Sequence, residues 1–406
     1  MNKTLLIIGA GVEACEGIEI AQQMGLKLII ADGNPEAPGF TMAHHRLVVS
    51  TYDAEAIALQ AWELVQKGIS IDGVISMCAD VPISVATVAQ KLALPGLSME
   101  SAQLVADKLL MKQRLQQKGI AIPRFKAVAS TTDLIVFAEE TGLPFIIKPV
   151  DSRGARGVQL LDKIEQFESA FLFAQKESPT GRVMVEEYLE GPQISTETLI
   201  EDGRCYTLGF ADRNYEWLPL TKPYMIENGG DSPSALDPAQ RLDVIQTVEK
   251  AALALGITSG VAKGDMVLTS NGAKVIEIAG RLSGGYFSTT HIPLNCGVNF
   301  IQQALRLALG EKLDAKELVP KQNCGVAIRY LNLKPGLVKS ITGIEDAQQS
   351  EGVEMLSIYI QKGDSVLGLQ NHTQRTGFVM TKAETKNQAI QLAVAALSKI
   401  RVQYDD

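Results

Sequence analysis

The run Thr4-Leu5-Leu6-Ile7-Ile8-Gly9-Ala10-Gly11 leaves this chain few folds to choose from. Four successive aliphatic residues, Leu5 to Ile8, form a strand only if both faces are covered, and the glycines that follow mark a tight turn into a helix. The same alternation recurs over the first hundred residues. A helical stretch at about 15–24, the apolar run LKLIIAD, a helix at about 54–67 and the run DGVISM complete it. A doubly wound parallel sheet over 1–97 is the expected reading.

A lysine-, glutamine- and leucine-rich helix is expected over about 98–119, ending where Ile122-Pro123 breaks helical continuity. Short strands with turns follow, and EDGR at 201–204 and SNGA at 270–273 read as hairpins. After Cys324 come a strand, a KPG turn, two more strands and an amphipathic helix near 387–400, expected as a small closing domain over 321–406. The fold class is thus α/β followed by α+β.

With 406 residues, 46% of them hydrophobic, the chain has apolar material for two or three domains. A net charge of −8 argues against nucleic acid or an anionic membrane as partner, because both need basic surface to displace counterions. No apolar stretch reaches bilayer length, and the N-terminus shows no cleavage site, so a cytoplasmic protein is expected. Cys15, Cys78, Cys205, Cys296 and Cys324 lack metal or disulfide spacing. The His44-His45 pair has no acid or cysteine at ligand spacing.

Gly9-Ala10-Gly11-Val12-Glu13-Ala14, with Asp32 ending the second strand, fits the dinucleotide fingerprint and keeps a nicotinamide-dependent oxidoreductase as an alternative. A second set of residues is more specific. Phe145-Ile146-Ile147-Lys148-Pro149 puts a lysine at a strand end, and Arg153-Gly154-Ala155-Arg156-Gly157 makes a loop of free N–H groups and guanidinium donors suited to polyphosphate. The competing reading of that loop is a solvated surface hairpin. In Val183-Met184-Val185-Glu186-Glu187-Tyr188-Leu189, a strand runs into a turn whose main chain suits an adenine edge, with Met184 and Leu189 against the ring. Gln193, Ser195 and Glu197 alternate onto one strand face, which is also the pattern of an exposed edge.

The SNG hairpin brings Asp265 opposite Glu277 in otherwise apolar strands. Two such carboxylates repel unless a cation lies between them, and magnesium shared with ATP phosphates resolves the conflict. Lys263 and Arg281 flank the pair; the competing reading is a structural ion-pair cluster of these four.

Taken in order, Lys108 on a helix, Lys148 before a Gly-rich loop, Glu-Glu-Tyr-Leu, Asp265 and Glu277-x-x-x-Arg281 resemble the ATP-grasp superfamily. The likeness is to its carboxylate-amine ligases, among them dipeptide ligases, D-alanine-D-alanine ligase and the ATP-using domains of carbamoyl-phosphate synthetase and biotin carboxylase. The resemblance implies an ATP-grasp fold over 98–320, with a nucleotide lid at about 122–187 and a metal-binding lobe at about 188–310. A leading domain of dinucleotide-like fold that uses no NAD also belongs to that pattern. It further implies an ATP- and magnesium-dependent ligase, with manganese able to substitute, that activates a small carboxylate as an acyl phosphate and joins it to an amine. A non-catalytic ATP-binding sensor is the third alternative, and a homodimer is compatible.

By that resemblance, Lys108 and Lys148 hold phosphates and Arg153, Gly154, Ala155, Arg156 and Gly157 form the lid. Glu186, Glu187, Tyr188 and Leu189 form the adenine hinge, Gln193 meets the ribose, Asp265 and Glu277 bind metal, and Arg281 steadies the transferring phosphoryl group. Gln193 stands where the family often has Glu, and Ala279 where it often has Asn, which removes one metal ligand. Candidates for substrate contact are Arg213, whose fork suits a carboxylate, with Gly284, Gly285, Tyr286 and His291. The Gly/Pro-rich stretch 221–234 is expected to cover the acceptor side.

Overall fold

The computed structural model describes residues 3–405. Its first sheet is parallel, with β1 (Thr4–Ile8), β2 (Lys27–Asp32), β3 (His45–Val48) and β4 (Gly73–Ile75) in the order β3-β2-β1-β4. All five β1 residues are buried, as a strand without polar faces requires. Helices Ala54–Gln66 and Pro82–Leu92 cover one face. On the other face Leu5, Ile7, Leu28 and Ile30 share a core with Ile301, Ala304 and Leu305 of helix Phe300–Ala308. Each such aliphatic side chain contributes roughly 1.5–3 kcal/mol on burial, so this late helix completes the first sheet energetically. Gly73 fixes their approach: a Cβ there would lie 2.4 Å from the Ala308 carbonyl oxygen.

The single helix expected over 98–119 is two, Met99–Ala106 and Lys108–Gln117. Asp107 breaks it. Its backbone is extended and its carboxylate accepts from the Leu109 and Leu110 N–H groups, while Lys108 N donates to Val150 O at 2.8 Å. An aspartate that can cap competes with helix continuation. The break binds the second helix to the lid strand that carries Lys148.

The lid sheet runs β5-β8-β6-β7, from β5 (Phe125–Val128), β6 (Phe145–Pro149), β7 (Gln159–Leu161) and β8 (Val183–Glu187), all antiparallel. Helices Thr131–Thr141 and Phe167–Lys176 bury Phe137, Phe145, Phe167 and Phe171 against it.

Beyond the lid come β9 (Gln193–Glu201), β10 (Arg204–Asn214), β11 (Gly229–Ser232), β12 (Gly260–Thr269), β13 (Gly272–Ala279) and β14 (Gly325–Tyr330). They are followed by β15 (Gly336–Thr342), β16 (Val353–Ile358), β17 (Ser365–Val366), β18 (Gly377–Ala383) and β19 (Arg401–Tyr404). Both predicted hairpins form: Glu201 pairs with Arg204 and Thr269 with Gly272. One eight-stranded sheet takes the order β13-β12-β9-β10-β11-β14-β18-β16, while β17-β15-β19 make a small sheet. The C-terminal strands β14, β18 and β16 therefore extend the sheet that carries Asp265. Helix Lys386–Lys399 packs Ala389, Ala393 and Ala396 on that extension. No helix among the described residues is long and apolar enough to cross a membrane.

Candidate active site

The first sheet, the lid sheet and the eight-stranded sheet enclose a cavity of about 560 Å³. Its deepest charges come from strand ends. Lys148, last but one in β6, points its ammonium to Glu186 Oε1 at 2.6 Å, and Lys112 approaches the other oxygen at 3.2 Å. Burial alone would protonate Glu186, but Lys112 and Lys148 hold it below the usual carboxylate range. Lys112 itself is pushed down to about 8 by burial, against the pull of Glu186.

The hinge differs from expectation at Glu186. Its main chain is in register with Phe125 on one side and Ile146 on the other, so its carboxylate, clamped by two lysines, is what serves the cavity. Glu187, Tyr188, Leu189 and Gln193 line the wall. Met184 does not; it is fully buried with Leu109 and Val150. Apolar wall there comes from Ile146, Leu189, Val267 and Ile276.

Asp265 and Glu277 are directly paired residues of β12 and β13, as the hairpin predicted, with an irregularity just after Asp265. Asp265 is held by Lys263 and by Arg213 Nη1 at 3.0 Å. Glu277 meets Lys108 Nζ at 3.1 Å, and the same ammonium donates to Ser152 O at 2.8 Å. Burial opposes charge on Glu277, but Lys108, Lys263 and Lys148 bring it down to about 2. In direct contact, Asp265 thus has Lys263 and Arg213 while Glu277 has Lys108. The four-residue cluster does not form as such, because Arg281 turns to Asp80, with Nε 3.4 Å from its Oδ1.

Asp80 is shared with the lid: Arg153 Nε lies 3.2 Å from its Oδ2, and the Arg153 guanidinium stacks on Tyr52 at 4.9 Å. In the lid loop Gly154, Ala155 and Gly157 adopt left-handed φ of 62°, 60° and 74°. That conformation costs a residue with a Cβ about 1–2 kcal/mol, so Ala155 is held there by its surroundings. Gly157 has no alternative, since a Cβ would meet Pro149 at 2.6 Å. Arg156 Nε bonds back to Arg153 O at 3.0 Å. The loop is not a free surface hairpin: His372 N donates to Gly154 O at 2.9 Å.

Two of the expected substrate contacts are engaged within the protein, Arg213 on the cavity wall and Tyr286 away from it. Arg213 does not offer an open fork, because Nε and Nη2 donate to Glu227 Oε2 at 2.9 and 2.7 Å while Nη1 faces Asp265. Tyr286 is absent from the cavity wall and packs on Phe378, centroids 5.2 Å apart, in an apolar cluster. Gly284, Gly285 and His291 do line the cavity. Gly285 N already donates to Glu13 Oε2 at 2.9 Å, and His291, lowered to about 4 by burial, is bonded to Ser232 Oγ at 2.7 Å. In the stretch 221–234, Met225, Glu227 and Gly230 face the cavity, but its end is strand β11 rather than loop.

Sequence reading missed Glu13, Asp80, Lys112, Tyr330, His372 and Arg375, which come from distant segments and carry no local motif of their own, whereas Glu227 lay inside the expected 221–234 stretch. Only Glu13, inside the glycine fingerprint, stood beside a signal. Asp32 of that fingerprint spends its carboxylate on the Ala10 and Asn34 N–H groups at 2.7 and 2.8 Å. It braces the turn instead of presenting an acceptor to a ribose.

The residues fit a magnesium nucleotide. Glu186 Oε2, Asp265 Oδ1, Arg153 Nε and Arg281 Nε are enclosed and make no hydrogen bond of good geometry, each meeting only its ion-pair partner Lys112, Arg213 or Asp80. Among the described residues no third His, Cys, Asp or Glu joins Asp265 and Glu277 into a metal cluster, so phosphate oxygens and water must fill the shell.

Comparison with known proteins agrees with this geometry. The ATP-grasp domain model matches residues 105–285, and the model for L-amino acid ligase C-terminal domain 2 matches 329–405. An uncharacterized protein, y4rH, of Sinorhizobium fredii is 24% identical over 98% of this chain and 83% of its own length. Carnosine synthase 1 of Homo sapiens is 25% identical over 76% of this chain, which spans 40% of that enzyme. The crystal structure of an L-amino acid ligase from Bacillus licheniformis superimposes with a TM-score of 0.84 at 22% identity, covering 100% of this chain and 99% of that one. The segment 105–285, which carries these lysines, the paired acids and the lid, thus matches the ATP-grasp domain.

Proposed function

We propose that the protein is a magnesium- and ATP-dependent ligase that joins a small carboxylate to an amine and releases ADP and phosphate. The observation that carries this reading is the in-register pair Asp265 and Glu277 facing Lys108, with Lys148 and the lid arginines on the same cavity. Relatives named as carnosine synthase and L-amino acid ligase support it.

In this reading Lys148, held by Glu186, and Lys108 contact the phosphates, and Arg153 to Gly157 close over them. Glu187 to Leu189 give the adenine edge and Gln193 the ribose contact. Asp265 and Glu277 hold magnesium, which when bound neutralises phosphate charge. Arg281, oriented by Asp80, faces the developing charge on the phosphoryl group. A carboxylate oxygen of the first substrate attacks the γ-phosphorus, and the bond to the β,γ-bridging oxygen breaks with ADP leaving. The amine then adds to the acyl carbon, loses a proton and expels phosphate. Closure of the lid onto 372–375 keeps water from the acyl phosphate. We further propose the division 1–97, 98–320 and 321–406 as working units.

The test is ADP release with Mg-ATP across a matrix of small carboxylates and amines. Release that depends on both partners and disappears in Glu277→Gln supports the reading. Release that needs neither partner counts against it.

A further inference from the structure

Resting on the ligase reading, we infer that Arg375, supplied by the C-terminal segment, anchors a substrate carboxylate that is not the one activated. The site expected of Arg213 is closed by Glu227 and Asp265. Of the arginines lining the cavity, Arg153, Arg213 and Arg281 each face a carboxylate. Arg156 and Arg375 pair with none among the described residues, and Arg156 belongs to the lid loop.

Arg375 is held in place with no carboxylate in ion-pair contact among the described residues. Its guanidinium lies 3.8 Å from the centroid of the Tyr330 ring, and Nη2 donates to the Glu227 main-chain oxygen at 2.5 Å. Its Nε is enclosed and has no hydrogen-bond partner. A guanidinium stacked on an aromatic face, fixed at one nitrogen and unsatisfied at another, is a preorganised planar donor that lacks its anion. Neighbouring groups set its reach. His372 Nε2 accepts from Glu227 N at 3.2 Å, so the segment 372–375 and Glu227 form one body. The Tyr330 hydroxyl would lie 3.3 Å from a methyl group placed on Gly285, which puts Arg375 at the Gly284–Gly285 end of the cavity, beside Glu13. Phosphate-facing Lys108 and Lys148 reach the cavity from the lid sheet and its adjoining helix instead. The anion it fits is the free carboxylate of a small substrate, bound while another carboxylate is phosphorylated.

The test is calorimetric and needs no turnover. Wild type, Arg375→Gln and Arg375→Lys, each saturated with Mg-ADP, are titrated with a panel of α-amino acids and with the matching carboxamides. Expected is saturable binding of at least one acid by wild type, with its carboxamide weaker by on the order of 10- to 100-fold, the range of a lost charged hydrogen bond. Arg375→Gln should bind acid and amide alike, Arg375→Lys should restore part of the preference, and Mg-ADP affinity should stay unchanged in all three. The inference is overturned if wild type takes none of the acids, if it takes acid and amide equally, if Arg375→Gln keeps the preference, or if Arg375→Gln weakens Mg-ADP instead. Any of these leaves the ligase reading to its own assay of ADP release.

Discussion

Glu186 closes on Lys148 at 2.6 Å with both side chains almost wholly enclosed, so the lysine expected to meet phosphate is also half of a buried ion pair. Removing only Lys148 leaves Glu186 to Lys112 alone. Lys148→Met is therefore expected to lose turnover, but to lose less stability than the about 3–5 kcal/mol that stranding a buried charge costs, because Lys112 still faces Glu186. Lys148→Met combined with Glu186→Gln should be less stable still, because it strands the fully buried Lys112, and should regain none of the turnover. Urea melts beside ADP-release assays check this, and full activity in either variant would remove Lys148 from the phosphate site.

Glu277 is an ion-pair partner of Lys108 as well as a metal ligand in the proposed site, and its low pKa makes a pH signature. A carboxylate depressed to about 2 contributes stability that is present above its unfolded value near 4.5 and is lost as pH falls toward 2. Melts from pH 6 to pH 2 should show Glu277→Gln less stable than wild type at the upper end, with the gap closing as pH drops. The same variant should weaken magnesium-dependent ATP binding by on the order of tenfold or more. Wild type without nucleotide should bind magnesium only weakly. Tight magnesium binding by the apo protein would contradict the shared shell.

Glu197 titrates in the opposite sense. It is fully buried, and burial lifts it to about 7 against hydrogen bonds from the Ser283 N–H at 2.9 Å and Ser288 Oγ at 2.8 Å. Stability from its protonated form is present below about pH 4.5 and disappears as pH rises through about 7. Wild type should thus lose on the order of 3 kcal/mol relative to Glu197→Gln between pH 4.5 and pH 8. Parallel curves for the two proteins would show that Glu197 is ionised throughout.

Nicotinamide cofactors should give no saturable heat of binding, whereas Mg-ATP should. The reason is local: both oxygens of Asp32 are occupied by main-chain N–H groups. Micromolar NAD binding would reopen the oxidoreductase alternative.

How much of this could be seen in the sequence depends on distance along the chain. Asp265 and Glu277 were legible because a two-residue turn fixes register over a few residues on either side. Lys148 and the lid glycines were legible as one contiguous motif. Asp80 and Arg375 were not, since 201 residues separate Asp80 from Arg281 and only the folded sheets bring them together. Tyr286 was misjudged because a residue beside two cavity glycines can still turn away, and its left-handed backbone, φ 60°, sends the ring toward Phe378. The helix break at Asp107 was hidden because the Lys108 amide is taken by Val150 O, just past β6, a contact that exists only in the folded chain.

The single sheet running from β13 to β16 also bears on how such a protein can be rebuilt. Exchanging the part after residue 320 with that of a relative would cut between β11 and β14, where Gly229 to Ser232 pair residue by residue with Arg329 to Val326. A transplanted segment must reproduce that ladder and bring its own equivalent of Arg375 in register with the host's Glu227. Grafting therefore favours exchange inside the connections of the C-terminal segment over exchange at its border, and a chain stopped at that border would expose β11 as an unpaired edge prone to association.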